Sequence, residues 1–273
     1  MISVIRAFRS EVLKFRRWSV LAVAGVMLAV STFIAYLTFH QIASGATGRE
    51  MTGLIAAFHT PQGLVSIIGQ ARSLIIAIAL VMVTANLAAE WSQGTMRNLL
   101  VREPHRLRWL AGKMLALVLF VVLFVLLSML LTLLVSGIFI LVLAQGQGIQ
   151  TTPWTSAEGL RVFAAFLGNE VLCLIGVSAL GMIIAVLTRS VAAGVGIALA
   201  YILVVEGIIA VVLPQVTQWF PGRVFNTIVG TTVPLVGPTP PQGYPAALAA
   251  ALLWTVGFVV ASAVVFPRQD VTA

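Results

Sequence analysis

Charged side chains are scarce in this sequence. Only 9% of its 273 residues are charged, 60% are hydrophobic, and the mean hydropathy is +1.08. Soluble domains carry about 25% charged and about 45 to 50% apolar residues. The composition therefore excludes an ordinary soluble protein and predicts a chain that lies largely in lipid.

Cysteine and lysine are almost absent. The single cysteine, Cys173, excludes an intrachain disulfide and a cysteine-based metal site. A phosphate-binding loop needs glycines followed by Lys and then Ser or Thr. Lys113 follows Gly112, but Leu107 stands where the first glycine belongs and Met114 where Ser or Thr belongs. The sequence thus contains no ATP site of this kind.

Patterns of catalytic residues are also missing. There is no HExxH or GxSxG sequence, and the three histidines, His40, His59 and His105, do not lie on one predicted face. A membrane hydrolase or metalloenzyme is disfavoured. We predict no catalytic residue, no metal ligand and no cofactor in this chain.

Long apolar runs dominate the sequence, and each spanning helix needs about 20 apolar residues, so the length accommodates roughly six spans. The predicted fold is all-α, a polytopic membrane protein with six transmembrane helices in a single domain of residues 18–273. The first run is too long for a cleavable signal peptide, although residues 44–46 resemble a cleavage site. The predicted spans cover residues 18–39, 64–89 or 72–89, 109–143, 160–187, 191–213 and 245–266.

Residues 1–17 are predicted to form an amphipathic helix on the membrane surface, because their apolar side chains fall on one face at helical spacing. The net charge of +8 would suggest nucleic acid in a soluble protein. Here the basic residues cluster beside apolar runs, so we expect contact with anionic lipid and no nucleic acid. Twelve of the 16 Lys and Arg residues fall on one side of the six spans, which predicts that both termini are cytoplasmic.

Two segments depart from simple spans. The third run, of roughly 35 residues, exceeds a 30 Å hydrocarbon core by about 20 Å, so it projects or tilts. Residues 214–244 are rich in proline and cannot form a regular spanning helix. They fit a re-entrant element packed against protein and an extracytoplasmic apolar loop equally well.

Four of the polar residues within the predicted spans are candidates for function: Arg72, Asn169, Glu170 and Glu206. Ionisable groups are costly there, which by default suggests a translocation path or a partner. Asn169 and Glu170 are expected near mid-depth, and Arg72 is the candidate to pair with one of the acidic residues. A structural ion pair explains these residues as well as a path does.

Ala192, Gly196 and Ala200 place small residues at four-residue spacing on span five. This spacing permits close helix packing, more often within one chain than at a dimer interface.

The connection after span two carries the most informative pattern, AEWSQGTMRNLL at residues 89–100. It resembles the E-x-x-x-G-T-x-x-x-L signature of permease subunits of bacterial ATP-binding-cassette exporters of the second type. In that family the signature forms a short cytoplasmic coupling helix, here residues 90–103, that docks on an ATPase. The residues that the resemblance assigns to coupling are Glu90, Gly94, Thr95, Arg97, Leu99, Leu100, Arg102 and Glu103.

The residues themselves suit that role. Gly94 permits a sharp turn where the span ends, and Thr95 can cap the helix that follows. Met96, Leu99 and Leu100 then supply an apolar face. The same residues also fit a charged loop that only sets the membrane topology and binds no partner. In that case Glu90 simply caps the end of span two.

The resemblance implies a non-enzymatic export permease in the bacterial cytoplasmic (inner) membrane. Its expected partners are cytoplasmic ATPase subunits, which carry the ATP and Mg, and a second permease copy or a related permease. The low charge of the spans favours a hydrophobic or amphipathic substrate such as a drug, peptide or lipid. Two alternatives stay open: a non-transporting assembly or sensor protein that binds a cytoplasmic partner, and a secondary transporter, for which inverted repeats would be expected.

Overall fold

The structure, a computed structural model, describes residues 18–44, 56–69, 71–96, 106–143, 152–230 and 241–269. Within these ranges the chain is helical and contains no strand. A π turn occupies Tyr201–Val205, and 3₁₀ turns occupy Thr152–Thr155 and Phe266–Arg268. The helices are α1 (Trp18–Ala43), α2 (Gly63–Gly69), α3 (Arg72–Ser92), α4 (Arg106–Leu143), α5 (Ala157–Thr188), α6 (Val191–Ala200), α7 (Glu206–Val212), α8 (Pro214–Thr217), α9 (Pro221–Gly230) and α10 (Tyr244–Val265).

Five of these described segments are long and apolar enough to cross a membrane. They are Arg72–Ser92, Arg106–Phe139, Ala157–Thr188, Val191–Val212 and Tyr244–Arg268. Each matches a predicted span, and the first predicted span coincides with the 26-residue helix α1. The total of six spans stays a prediction. Of the two starts considered for span two, the structure selects Arg72, because α2 is a separate short helix.

Helix α4 confirms that the third span is unusually long. Its 38 residues extend for about 57 Å at 1.5 Å per residue, well beyond a hydrocarbon core of about 30 Å. Helix α5, with 32 residues, is also longer than one crossing requires. Part of each helix therefore extends past the ends of its shorter neighbours.

Helix α5 is the centre of the bundle and packs against α3, α4, α9 and α10. Small side chains allow this close packing: a Cβ added to Gly181 would lie 3.0 Å from the Thr84 hydroxyl of α3. By contrast, only 6% of the apolar window in Val191–Val212 is buried. The exposed apolar side of α6 and α7 is suited to lipid or to another membrane helix.

The small residues of α6 do not pack as the sequence suggested. Ala192, Gly196 and Ala200 are exposed, whereas Gly194 and Ala198 are buried. The space beside Gly194 is filled by Thr84 and Ala88 of α3 and by Thr188 of α5. The prediction of packing within the chain was therefore wrong for Ala192, Gly196 and Ala200, because α6 directs Gly194 and Ala198 towards the bundle instead.

Helices α5 and α6 form the tight hairpin that the sequence predicted. Arg189 ends α5 in the left-handed region at φ 53°. Ser190 then begins α6, and its hydroxyl accepts the Ala193 N–H at 3.5 Å. Only a two-residue connection separates the two helices.

The proline-rich segment is broken, as predicted. It contains the short helices α8 and α9, and residues 231–240 lie outside the described ranges. Helix α9 buries Val224, Phe225 and Ile228 against α5 and α10. A Cβ on Gly176 of α5 would overlap the Phe225 ring, so this glycine makes room for α9.

The predicted helix at residues 1–17 and the coupling residues 97–103 lie outside the described part of the chain.

Candidate functional site

The bundle has two ends that matter for function. We name them the Glu90 end and the Arg72 end, after polar residues near the two ends of α3. Glu90 lies 18 positions after Arg72, which corresponds to about 27 Å along the helix. Each end contains a buried ion pair.

At the Glu90 end, α3 stops in a sharp turn. The Gln93 N–H donates to Ala89 O at 2.9 Å, and the Gly94 N–H donates to Trp91 O at 3.0 Å. Gly94 has φ 65°, a conformation that costs a residue with a Cβ about 1 to 2 kcal/mol. The structure thus confirms the predicted turn at Gly94.

Both carboxylate oxygens of Glu90 accept hydrogen bonds at this turn. Its Oε1 accepts from Lys113 Nζ at 2.6 Å, and its Oε2 accepts from the Thr95 hydroxyl at 2.5 Å. The Lys113 and Glu90 side chains are only 1% and 9% exposed. Glu90 is therefore more than a helix cap, because its carboxylate ties the turn after α3 to α4.

Lys113 is the residue that sequence reasoning missed. It lies in the second turn of α4, where its ammonium is also 5.6 Å from the centre of the Trp109 ring. The available signal was a lysine within an otherwise apolar helix. Such a charge requires an acidic partner, and the adjoining connection offers two acidic residues, Glu90 and Glu103.

The chain after α10 returns to the same turn. Phe266 stacks on Trp109 at a centroid distance of 5.7 Å and meets the Trp91 ring edge to face at 5.9 Å. Arg106 Nη1 donates to Pro267 O and Gln269 O, both at 3.0 Å. We call these five residues and Pro267 the Phe266 clamp, because they fasten the end of α10 to α3 and α4.

The signature is described in part. Glu90, Gly94 and Thr95 are brought together, and Met96 is buried in the main core. Gln269 Nε2 adds a bond to Val186 O of α5 at 2.8 Å, so four helices converge beside this turn. The predicted coupling residues Arg97, Leu99, Leu100, Arg102 and Glu103 lie outside the described residues.

At the Arg72 end, each of the three side-chain nitrogens of Arg72 donates a hydrogen bond. Its Nε donates to Glu170 Oε2 at 2.6 Å, its Nη1 to Asn226 Oδ1 at 2.7 Å and its Nη2 to Cys173 Sγ at 3.3 Å. The Arg72 and Glu170 side chains are 3% and 0% exposed. The predicted pairing of Arg72 with an acidic residue of a neighbouring span is confirmed.

Asn169 extends this network towards α9 and α10. Its Nδ2 donates to Ile228 O at 2.9 Å, and its Oδ1 accepts from the Tyr244 hydroxyl at 2.7 Å. Asn226, Cys173 and Tyr244 were not predicted as partners. Their position follows from the insertion of α9 beside α5, which no local pattern reveals.

Asn169 and Glu170 lie near the middle of α5 and beside the first turn of α3. Counting along span four predicts a position near mid-depth. Along α5, Glu170 is about 20 Å from Ala157 and about 27 Å from Thr188, and it contacts Arg72, the first residue of α3. The two helices therefore begin at different levels, and the depth of the two residues stays a prediction.

Glu206 has different partners. It follows the π turn, and its Oε1 accepts the Gly222 N–H of α9 at 2.8 Å. It forms no ion pair with Arg72. Glu206 nevertheless lines the same cavity, of about 100 Å³, as the Arg72 ligands Cys173 and Asn226. The structure therefore gathers Arg72, Asn169 and Glu170 into one network and places Glu206 on a cavity beside it.

Metal ligation has no support in the described ranges, where no group of three His, Cys, Asp or Glu side chains is positioned to hold an ion. The polar groups are instead arranged as two buried charge pairs in an apolar bundle. Such an arrangement can fix helices against one another and offer a polar lining at membrane depth.

Comparison with known proteins gives one family. The profile of the family described as ABC-2 family transporter protein matches residues 7–205, which is most of the chain. No curated protein compared with the chain matches it. The matched region includes the Glu90 turn and the Arg72–Glu170 pair. This multi-pass chain belongs to the ABC-2 transporter family, as the membrane-spanning permease component of a transporter.

Proposed function

We propose that this permease exports a hydrophobic or amphipathic substrate across the bacterial cytoplasmic membrane, driven by ATP that a separate subunit hydrolyses. The ATP and Mg are bound by that subunit. Two permease chains, identical or related, work with two ATPase subunits. Both termini and the Glu90 end face the cytoplasm in this arrangement.

The observation that carries the proposal is the construction of the Glu90 turn. A left-handed glycine ends α3, and the carboxylate four residues before it binds both Thr95 and Lys113. A loop that only sets topology needs positive charge but no buried ion pair. A buried pair with good geometry holds the turn at a fixed angle to α3 and α4.

The turn is also well placed to transmit motion. Helix α3 runs without interruption from Glu90 to Arg72, where the second ion pair fastens it to α5. The Phe266 clamp joins the same turn to the end of α10. Displacement of residues 94–96 by a docked ATPase would therefore move α3, α4 and α10 together.

The test is co-purification of the permease with its candidate ATPase, followed by ATPase activity. The double variant Gly94→Pro with Leu99→Asp distorts the turn and places a charge on the predicted docking face. Its matched control is Leu160→Asp, which charges a leucine that is 58% exposed in the first turns of α5. An acidic residue is tolerated near a helix N-terminus.

We expect the wild type and the control to retain the ATPase and the double variant to lose it while staying folded. If the wild type recruits no ATPase, or the double variant recruits as much as the control, the coupling role of residues 90–103 is refuted.

A further inference from the structure

The cavity beside Glu206 is a polar chamber in an apolar bundle. Its volume is about 100 Å³, and its walls come from α3, α5, the π turn with α7, and α9. Pockets for whole drug-sized ligands measure about 300 to 1,000 Å³. This chamber is large enough only for one polar end group or a few water molecules.

Glu206 is the acidic side chain on the chamber wall. Arg72 and Glu170 lie beside the chamber and pair with one another, and the three Arg72 nitrogens are already bonded. For Glu206 the described ranges show no ion-pair partner within salt-bridge distance. Arg223 is near Glu206 but exposed. The Glu206 carboxyl group is therefore available to a cation that enters the chamber.

A polar atom on the chamber wall also lacks a partner. The Tyr201 hydroxyl is buried and has no hydrogen-bond partner among the described residues. A buried polar atom without a partner calls for an explanation, and a ligand with N–H groups is one. The Glu206 carboxylate accepts the Gly222 N–H through one oxygen. In the Arg72 network beside the chamber, Glu170 Oε1 is likewise buried without a partner.

The remaining walls select among cations. Phe225 and Tyr201 present aromatic rings, and Ile76, Leu80 and Val177 present aliphatic side chains. Hard metal ions take six or more oxygen ligands, which this lining does not offer. An alkylammonium group suits it better, because its nitrogen meets a carboxylate and its carbon chain meets aromatic and aliphatic walls.

We infer that this chamber binds the ammonium end of an amphipathic molecule. The binding itself does not require the coupling role of the Glu90 end, although its place in transport rests on the proposed function. Two sources carry this chemistry, a cationic amphipathic substrate and the ethanolamine headgroup of a lipid.

The test uses the intact permease in a maltoside detergent, which carries no ammonium group. The melting temperature Tm is followed by tryptophan fluorescence as methylammonium chloride is added, with potassium chloride at equal concentration as the ionic-strength control. Binding to the folded state raises Tm in a saturable way. We expect such a rise for methylammonium beyond that for potassium.

Two variants locate the site. Glu206→Gln keeps the shape of the side chain and removes its charge, so we expect methylammonium to bind at least about tenfold more weakly. Tyr201→Phe keeps the ring and removes the hydroxyl, and serves if the first variant does not fold. Glu158→Gln is the matched control, because Glu158 pairs only with the exposed Arg161 on the surface of α5.

The possible outcomes distinguish the absence of binding from two kinds of occupant. Equal responses to methylammonium and potassium, or an unchanged response in Glu206→Gln and Tyr201→Phe, overturn the inference. If added phosphatidylethanolamine abolishes the methylammonium response and phosphatidylglycerol does not, the occupant is a lipid headgroup. If the response survives phosphatidylethanolamine, the occupant is an amphipathic amine from solution. None of these outcomes alters ATPase recruitment, so failure here is distinguishable from failure of the proposed function.

Discussion

Removing the ammonium of Lys113 should be among the most damaging single changes at the Glu90 end. In Lys113→Met, Glu90 keeps the Thr95 hydroxyl but loses the 2.6 Å ion pair. Loss of one partner of a buried pair costs about 3 to 5 kcal/mol, because a charge is left buried without compensation. The remaining Thr95 bond places our expectation at the lower limit, about 3 kcal/mol.

The double variant Glu90→Gln with Lys113→Met tests the cause of that loss. It removes both charges together, and buried pairs replaced by neutral groups of similar volume are often tolerated. We therefore expect the double variant to be more stable than Lys113→Met alone. Arg161→Met, which breaks the exposed Glu158 pair at 3.5 Å, is the control and should cost about 0.5 kcal/mol or less.

The assay is the free energy of unfolding in mixed micelles titrated with a denaturing detergent, followed by tryptophan fluorescence. Trp91 and Trp109 lie beside the pair and report its environment. Recruitment of the ATPase is measured on the same preparations. The reasoning is refuted if Lys113→Met stays within about 1 kcal/mol of wild type, or if the double variant is as unstable as the single one.

Three further changes test the geometry. Because Gly94 has a positive φ, Gly94→Ala should destabilise the protein by about 1 kcal/mol and weaken ATPase recruitment. The control Gly137→Ala should be neutral or stabilising, because a Cβ at Gly137 meets nothing within 4 Å. Equal thermal stability of the two variants would contradict this prediction. Gly176→Val should lower the free energy of unfolding by about 1 to 3 kcal/mol, because the new side chain overlaps the Phe225 ring, and adding Phe225→Ala should restore part of that stability. Purely additive effects of the two changes on the free energy of unfolding would argue against the contact. Phe266→Ala should cost about 3 kcal/mol in the same unfolding assay by emptying the Phe266 clamp, and a loss below about 1 kcal/mol would show that the clamp is loosely packed.

The parts of this fold that the sequence predicted are those governed by local rules. Apolar runs of spanning length gave the helices, because in lipid the backbone must satisfy its own hydrogen bonds. Gly94 predicted the turn after α3, since a positive φ favours glycine. The Arg72 pairing was predicted because an intramembrane cation needs an anion nearby.

The parts that were missed depend on how helices rotate and insert. Lys113 and Glu90 are 23 positions apart, and Arg72 and Asn226 are 154 apart. Neither pairing follows from periodicity, because the rotation of each helix is set by its packing. The staggered starts of the helices were missed for the same reason: Glu170, 13 positions after the first residue of α5, contacts Arg72 at the first residue of α3.

The π turn gives the bundle a place to bend. Before it, α6 packs on α3, with Gly194 against Thr84 and Ala88. After it, α7 has no buried residue among those described, and Glu206 bonds to Gly222 of α9. Motion that enters at the Glu90 turn would thus carry α3 and α6 together. Helix α7 is fastened to α9, so any difference in movement between α3 and α9 falls on the π turn, which borders the chamber. If the proposed function holds, such a difference, driven by movement of the ATPase, changes the shape of that chamber.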